Sequence, residues 1–393
     1  MKKLILAVGA RPNFMKAAPL YDKLKKNPEQ HLVFVHTGQH YDFEMSQIFF
    51  EDLNLPKPHY FLNVGSGSHA EQTGRIMMDF EDVLFKEKPD SVVVFGDVNS
   101  TIACCLAAHK LHIPVFHVEA GLRSYDRSMP EEINRKLTDL ASDLLFTHCD
   151  DANNNLKKEG FRNIHFWDDL QTDSSSIFSP IPLVVNVGNV MIDSLKMIIG
   201  KIDSDFEMSV FKKHRFDYGE KSIRFGLVTL HRPDNVDKKE SLQTIFQQLK
   251  TISKMIPLIF PLHTRTKQNM KKIGISIKSD DNLRLTKPLS YKEFVTVMKN
   301  ATFVLTDSGG IQEETTYLQI PCLTLRPNTE RPVTITSGTN RLVTVHDLER
   351  NVKSLLKTEN KLFAETNIPL WDGNSSQRIA WIIQKYLALK PTS

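Results

Sequence analysis

The chain has 393 residues, 40% hydrophobic and 24% charged, a composition that places it among globular rather than disordered proteins. That length exceeds what one core commonly serves, so two domains are the starting expectation. The formal net charge of +4 is too small for a dedicated nucleic-acid binder, and no Lys/Arg block with interleaved aromatics occurs; the modest positive bias suits a small anionic substrate.

The chain opens on a short apolar run that meets Arg11 directly, which reads as a first β-strand over Leu4–Val8 rather than as a signal peptide. A helix over Asn13–Lys26 follows. Strands are then predicted over Leu32–His36, Ser91–Phe95, Val115–Val118 and Leu144–Thr147. Between them lie helical patterns over His69–Lys86, Ser100–His112 and Glu131–Ala141. Residues 166–186, with Trp167 and many Asp, Ser and Pro, show no clear periodicity and read as a surface loop. A join falls near Val187–Ser194. Beyond it, strands are predicted over Arg224–Leu230, Leu258–Leu262, Phe303–Thr306 and Cys322–Leu325. Helices over Glu240–Met255, Tyr291–Lys299 and Ile311–Leu318 alternate with them, and a last helix covers Ser375–Leu389. This alternation argues for parallel sheets covered by helices on both faces. The expected division is 1–188 and 189–374, with 375–393 crossing back to the first domain. No run is long enough to span a membrane. Cys104, Cys105, Cys149 and Cys322 have no metal-site spacing and imply no disulfide framework, which fits a reducing cytoplasm.

In open parallel sheets, ligands bind beyond the carboxyl ends of the strands. Almost every predicted strand here ends in chemically useful residues. In the first half these are Gly9 to Lys16 with Arg11, Thr37-Gly38-Gln39-His40, Gly96-Asp97, and His117-Val118-Glu119 running on to Arg123. In the second half they are His231-Arg232, His263-Thr264-Arg265, Asp307-Ser308-Gly309-Gly310, and Arg326 with Arg331 nearby. The stretch 303–314 is the most informative. An apolar strand stops at Asp307, Ser308 is suited to cap a helix, and two glycines allow backbone amides to approach an anion. Glu314 lies about 9 Å further along that helix, a suitable reach to ribose hydroxyls while the amides hold a diphosphate. The carboxylates admit two readings. Asp97 and Glu119 serve either as acid/base groups or as loop partners of Arg11 and Arg123. Glu131 and Glu132 follow Pro130 at a helix start, where acids are favoured in any case.

Taken in order, these segments resemble the UDP-N-acetylglucosamine 2-epimerase family, especially its non-hydrolysing branch. The resemblance rests on Gly9-Ala10-Arg11-Pro12-Asn13-Phe14-Met15-Lys16, Gly38-Gln39-His40, Gly96-Asp97, and His117-Val118-Glu119-Ala120-Gly121-Leu122-Arg123. It continues through Pro130-Glu131-Glu132-Ile133-Asn134-Arg135, Val187-Gly188-Asn189, His231-Arg232, Asp307 to Glu314, and Thr329-Glu330-Arg331-Pro332. It implies an α/β fold of the GT-B type, two Rossmann-like domains with a central interdomain cleft, in a homodimer acting on a UDP-sugar. It also implies interconversion of UDP-GlcNAc and UDP-ManNAc by elimination and re-addition of UDP, with no cofactor and no metal. Under this resemblance the catalytic residues are Asp97, Glu119, Glu131 and His231, the first three being the acid/base candidates. Arg11, Lys16, His231, Arg232 and the Ser308-Gly309-Gly310 turn hold the diphosphate. Glu314 binds the ribose, and Arg331 supports the acetamido sugar or the carboxylates. Gln39 and His40 match a turn through which bacterial members commonly bind a second, activating UDP-GlcNAc, although Tyr41-Asp42 and Glu71 depart from that pattern.

The competing expectations are a 2-epimerase of another UDP-amino sugar, a hydrolysing 2-epimerase, a GT-B glycosyltransferase and a catalytically silent nucleotide-sugar sensor. Arg11-Pro12-Asn13-Phe14 favours the non-hydrolysing branch, whose hydrolysing relatives typically carry an Arg-Ala-Asp-Tyr-like start.

Overall fold

The computed structural model describes residues 1–39, 50–171, 178–214, 224–275, 282–357 and 367–389. The chain divides into two compact units. One comprises Met1–Met197 with the chain from Pro369 onward, and the other Ile198–Ile368. The division falls inside the helix Val190–Ile199, C-terminal to the 188/189 boundary read from the sequence.

Among the described residues, the first unit contains eight parallel strands: β1 (Lys2–Val8), β2 (Gln30–His36), β3 (Tyr60–Phe61), β4 (Ser91–Phe95), β5 (Val115–Val118), β6 (Leu144–Thr147), β7 (Ile164–Phe166) and β8 (Leu183–Asn186). Their order across the sheet is β3-β2-β1-β4-β5-β6-β8-β7. The described residues of the second unit form six: β9 (Gly226–Thr229), β10 (Leu258–Pro261), β11 (Leu283–Thr286), β12 (Phe303–Thr306), β13 (Cys322–Leu325) and β14 (Asn340–Val343), ordered β11-β10-β9-β12-β13-β14. Counted within its own sheet, each unit contains the doubly wound order 3-2-1-4-5-6. The direction of winding reverses between β1 and β4 and again between β9 and β12.

The central strands form because their residues are apolar on both faces, as a sheet covered on both sides requires. Strands β4, β5, β6, β12 and β13 are buried at every residue. Ile5, Val33, Val92 and Val94 pack with Ile76 and Phe80 of the helix His69–Glu87 in one core. Val228, Phe260 and Leu305 pack with Phe246 and Leu249 of the helix Lys239–Ser253 in the other.

Residues 166–186 differ from the loop expected. Phe166 ends β7, a 3-10 turn runs over Trp167–Gln171, and Leu183–Asn186 is a fully buried strand between β6 and β7. Residues 172–177 lie outside the described residues. The final helix, Ser375–Leu389, is anchored in the first unit. The buried Asp193 carboxylate accepts hydrogen bonds from the amides of Ser375 (3.1 Å) and Ser376 (2.6 Å), so a side chain distant in sequence caps its N-terminus. Among the described residues, no helix is long and apolar enough to cross a membrane.

Candidate active site

In the first unit the chemistry gathers where the winding reverses. After β1 the chain turns into the helix Arg11–Leu24, and Asn13 organises that turn. Its Oδ1 accepts from the amides of Gly9 (3.1 Å) and Ala10 (3.0 Å), while its Nδ2 donates to the Phe95 carbonyl (2.8 Å) at the end of β4. One helical turn on, Lys16 points back into the protein. Its ammonium lies 2.7 Å from Glu119 Oε2, and both side chains are buried. Glu119 directly follows β5 with φ +74, a left-handed conformation that costs an L-residue about 1–2 kcal/mol. The amides of Glu119 and Ala120 both donate to the Phe146 carbonyl, which holds that turn in place. Gly96 precedes Asp97 with φ +66, and a Cβ there would sit 2.8 Å from Lys16 Nζ. Glycine is therefore needed both for the backbone and for the ammonium.

The structure resolves the alternative partners left open by the sequence. Asp97 is held by Arg135, whose Nε and Nη2 lie 2.9 and 2.7 Å from Oδ2, and Glu119 by Lys16. Arg123 serves neither; it pairs with Asp139 (2.7 Å) and Glu159 (2.6 Å). The adjacent glutamates at the start of the helix Pro130–Leu140 have separate environments. Glu132 is fully buried. It accepts from the Ser124 amide and hydroxyl, the Tyr125 amide and Arg135. Glu131 is partly exposed, and its side chain makes no hydrogen bond or ion pair with any described residue.

Beneath the two carboxylate-bearing turns lies a buried network to which the sequence assigned no role. His117 on β5 places Nδ1 2.7 Å from Asp139 Oδ1 and Nε2 2.8 Å from the Gly96 carbonyl. Asp139 also accepts from the Gly121 amide (3.1 Å). Burial alone would raise the Asp139 carboxyl, but its hydrogen bond with His117 and the charge of Arg123 bring it below the usual carboxylate range.

Gln39 is tied inward. Its Oε1 accepts from the Ser100 amide (3.0 Å) and hydroxyl (2.6 Å), and its carbonyl from Gln72 (3.1 Å). His40 lies outside the described residues. Arg11 stands exposed at the first position of its helix.

In the second unit, Asp307 joins the two strand ends at the reversal point. This fully buried carboxylate accepts from the amides of His231 (3.1 Å) and Arg232 (2.9 Å) and from Asn235 Nδ2 (3.0 Å). His231 Nδ1 lies 3.2 Å from Asp307 Oδ1, in a side chain 40% exposed, so the ring is oriented yet accessible. Ser308 occupies the N-cap position of the helix Gly309–Tyr317, but its hydroxyl makes no capping bond, contrary to the expected cap. Its amide instead donates to Thr306 Oγ1 (3.0 Å).

An arginine cluster lies against that helix start. Arg331 Nε is 2.9 Å from Glu313, and its Nη1 meets Glu330, which also pairs with Arg326 at 2.9 Å. Arg232 reaches within 3.9 Å of Glu330. Burial, then the neighbouring Arg326 charge, draws the Arg232 guanidinium below its ordinary value, as expected where cations crowd and an anion would relieve them. A Cβ on Gly309 would stand 2.5 Å from Arg331 Nη1, so glycine is what admits that cluster to the helix start. Glu314 is buried and accepts from the Tyr291 hydroxyl at 2.7 Å. Gln312 Oε1 accepts from Thr329 (2.7 Å) and Asn340 (3.0 Å), fixing the loop that carries Glu330 and Arg331.

Sequence reasoning named Asn13, His117, Asp307 and Glu330 only as members of strand-end or family segments, with no role of their own, and did not name Asp139. Of these, Asn13 and Asp307 carried a signal, since each is a short polar side chain at a strand end before a helix, where it satisfies turn amides.

Two doubly wound parallel sheets, one with carboxylates at its reversal point and the other with an amide-rich, arginine-flanked helix start, define an α/β enzyme of the GT-B type. The family model described as UDP-N-acetylglucosamine 2-epimerase matches residues 22–384. A UDP-N-acetylglucosamine 2-epimerase homolog of Methanococcus maripaludis is 43% identical over 97% of this chain and 99% of its own length. The UDP-2,3-diacetamido-2,3-dideoxy-D-glucuronate 2-epimerase of Pseudomonas aeruginosa is 37% identical over 98% and 99%. The crystal structure of Methanocaldococcus jannaschii UDP-GlcNAc 2-epimerase in complex with UDP-GlcNAc and UDP is similar with a TM-score of 0.83. It is 39% identical and covers 97% of this chain and 99% of its own. The chain belongs to the UDP-N-acetylglucosamine 2-epimerase family.

Proposed function

We propose that this enzyme interconverts UDP-GlcNAc and UDP-ManNAc without hydrolysing them. The observation that carries this reading is the pair of carboxylates Asp97 and Glu119 near the first reversal point, with Glu131 in the first turn of the helix whose Arg135 holds Asp97. Asp97 and Glu119 are each fixed by a cation, while the Glu131 side chain makes no hydrogen bond or ion pair with a described residue. C2 of the sugar adjoins an acetal carbon rather than a carbonyl, so abstraction of its proton alone would leave an unstabilised carbanion. Elimination avoids this. The C2–H electrons form the C1–C2 double bond as the C1–O bond breaks, giving 2-acetamidoglucal and UDP. A proton then returns to the opposite face of C2, and UDP adds back to C1.

This path requires a base on one face of the ring and an acid on the other, each within hydrogen-bond reach. In our reading Asp97, Glu119 and Glu131 fill these roles, and the first unit supplies proton transfer. The second unit supplies UDP binding. Charge gathering on the departing diphosphate is met by His231, Arg232, and the Ser308, Gly309 and Gly310 turn, with Arg11 of the first unit. Glu314 takes the ribose. Lys16, ion-paired with Glu119, orients that carboxylate. No cofactor enters the scheme. The assembly we assign is a homodimer, and four buried free thiols fit a reducing cytoplasm.

The second reading, epimerisation of a UDP-diacetamido uronate at C2, is favoured by the similarity to the Pseudomonas enzyme. Incubating the protein with each nucleotide sugar and resolving the products by anion-exchange chromatography separates them. Conversion of UDP-GlcNAc to UDP-ManNAc supports the first reading, and turnover of the diacetamido uronate alone supports the second.

A further inference from the structure

His117 is fully buried on β5, and nothing in the proposed chemistry uses it. Both of its ring nitrogens face acceptors: the Asp139 carboxylate at 2.7 Å and the Gly96 carbonyl at 2.8 Å. A neutral imidazole donates from only one nitrogen, so this environment suits a ring carrying a proton on each. Around the cluster lie Arg123, which pairs with Asp139 and with Glu159, and the buried Cys105 thiol, which feels the Asp139 charge. Asp139 continues to the Gly121 amide at 3.1 Å. The network therefore ends at two turns, Gly96-Asp97 and Glu119-Ala120-Gly121. Gly96, Glu119 and Gly121 all have positive φ, at +66°, +74° and +79°. A conformation of that kind at Glu119 persists only where the surroundings over-determine it.

We propose that His117 is a positioning residue that donates from both ring nitrogens, to Asp139 and to the Gly96 carbonyl, and so locks the Asp97 and Glu119 turns in register. The assignment rests on the proposed role of those carboxylates. Misplacing a reacting group by about 1 Å can cost on the order of 100-fold in rate, so the lock acts on turnover more than on binding.

Two substitutions divide the ring's functions. His117→Gln places an amide nitrogen near the position of Nε2 and keeps a donor for Gly96. His117→Asn places one near Nδ1, facing Asp139, and abandons Gly96. The expected result is a kcat for H117N about 100-fold below wild type with KM for UDP-GlcNAc within about threefold, and recovery of at least about tenfold of that kcat in H117Q. Equal impairment in both variants, or wild-type kcat in H117N, would overturn the proposal. Nitrogen-15 NMR of the ring in the wild-type protein tests the geometry without turnover. Protonated-type shifts at both nitrogens at neutral pH support it, and a bare nitrogen overturns it, even if the variants fail to fold. Should wild-type enzyme not turn over UDP-GlcNAc, the functional reading falls while the ring shifts still decide the hydrogen-bonding claim.

Discussion

Lys16 Nζ lies 2.7 Å from Glu119 Oε2, and neither side chain exposes more than 6% of its surface. Removing one member of a buried pair strands the other charge and costs about 3–5 kcal/mol. Lys16→Met should therefore lower stability by that order and abolish turnover, because Glu119 loses its orientation. Glu119→Gln, which strands the Lys16 ammonium in turn, should abolish turnover at a stability cost of the same order, and adding it to Lys16→Met should restore part of the lost stability. Urea denaturation of the two single variants and the double variant measures the coupling, and strictly additive losses would remove the pair from the account.

Glu131 and Glu132 are neighbours with opposite assignments. Glu132→Gln removes charge from a carboxylate bonded to Ser124, Tyr125 and Arg135, and is expected to destabilise by about 3 kcal/mol. Glu131→Gln is expected to change stability by less than about 0.5 kcal/mol while abolishing epimerisation. Thermal melts paired with turnover assays check both, and a fully active E131Q would remove Glu131 from proton transfer.

Gly309→Ala places a methyl 2.5 Å from Arg331 Nη1 and 2.8 Å from Glu330 Oε1. Both obstructing atoms are side-chain ends that can shift, so the cost to stability should be about 1–3 kcal/mol. The displaced arginine should weaken UDP binding about tenfold or more, read by isothermal titration calorimetry. Unchanged affinity would place the diphosphate away from this helix start.

His36 provides a pH signature. Burial pushes its ring down to about 4 from 6.5, and Nδ1 accepts the Gly38 amide at 2.8 Å. The unfolded chain binds a proton near pH 6.5 and the folded protein only near about 4. Stability is therefore fully present above about 6.5 and lost as pH falls toward about 4, by on the order of 3 kcal/mol. His36→Asn retains an acceptor for Gly38 without titrating, so its urea midpoint should fall less than that of wild type between pH 7 and pH about 4. Parallel losses in the two proteins would contradict the assignment.

The central strands were legible because burial on both faces leaves uninterrupted apolar runs. Ser91–Phe95, Val115–Val118, Leu144–Thr147, Phe303–Thr306 and Cys322–Leu325 have the bounds read from sequence. The strands missed were of other kinds. β3 has only two residues, and Leu283-Arg284-Leu285-Thr286 and Asn340-Arg341-Leu342-Val343 mix polar and apolar side chains at or near the sheet edge. Leu183–Asn186 was hidden by the Ser-, Asp- and Pro-rich stretch before it, although its pairing buries it completely. The polar strand ends showed where chemistry gathers. They did not show pairings set by tertiary placement, such as Arg135 rather than Arg11 on Asp97, or Lys16 turned inward onto Glu119. His117 and Asp139, separated by 22 residues, meet only because β5 and the helix Pro130–Leu140 pack together.

The most direct test of the account is incubation with UDP-GlcNAc in D₂O, followed by proton NMR. Elimination and re-addition predict UDP-ManNAc carrying deuterium at C2, with deuterium entering recovered UDP-GlcNAc as the reaction reverses. UDP-ManNAc that retains the original C2 proton, or release of UDP and free ManNAc, would contradict it.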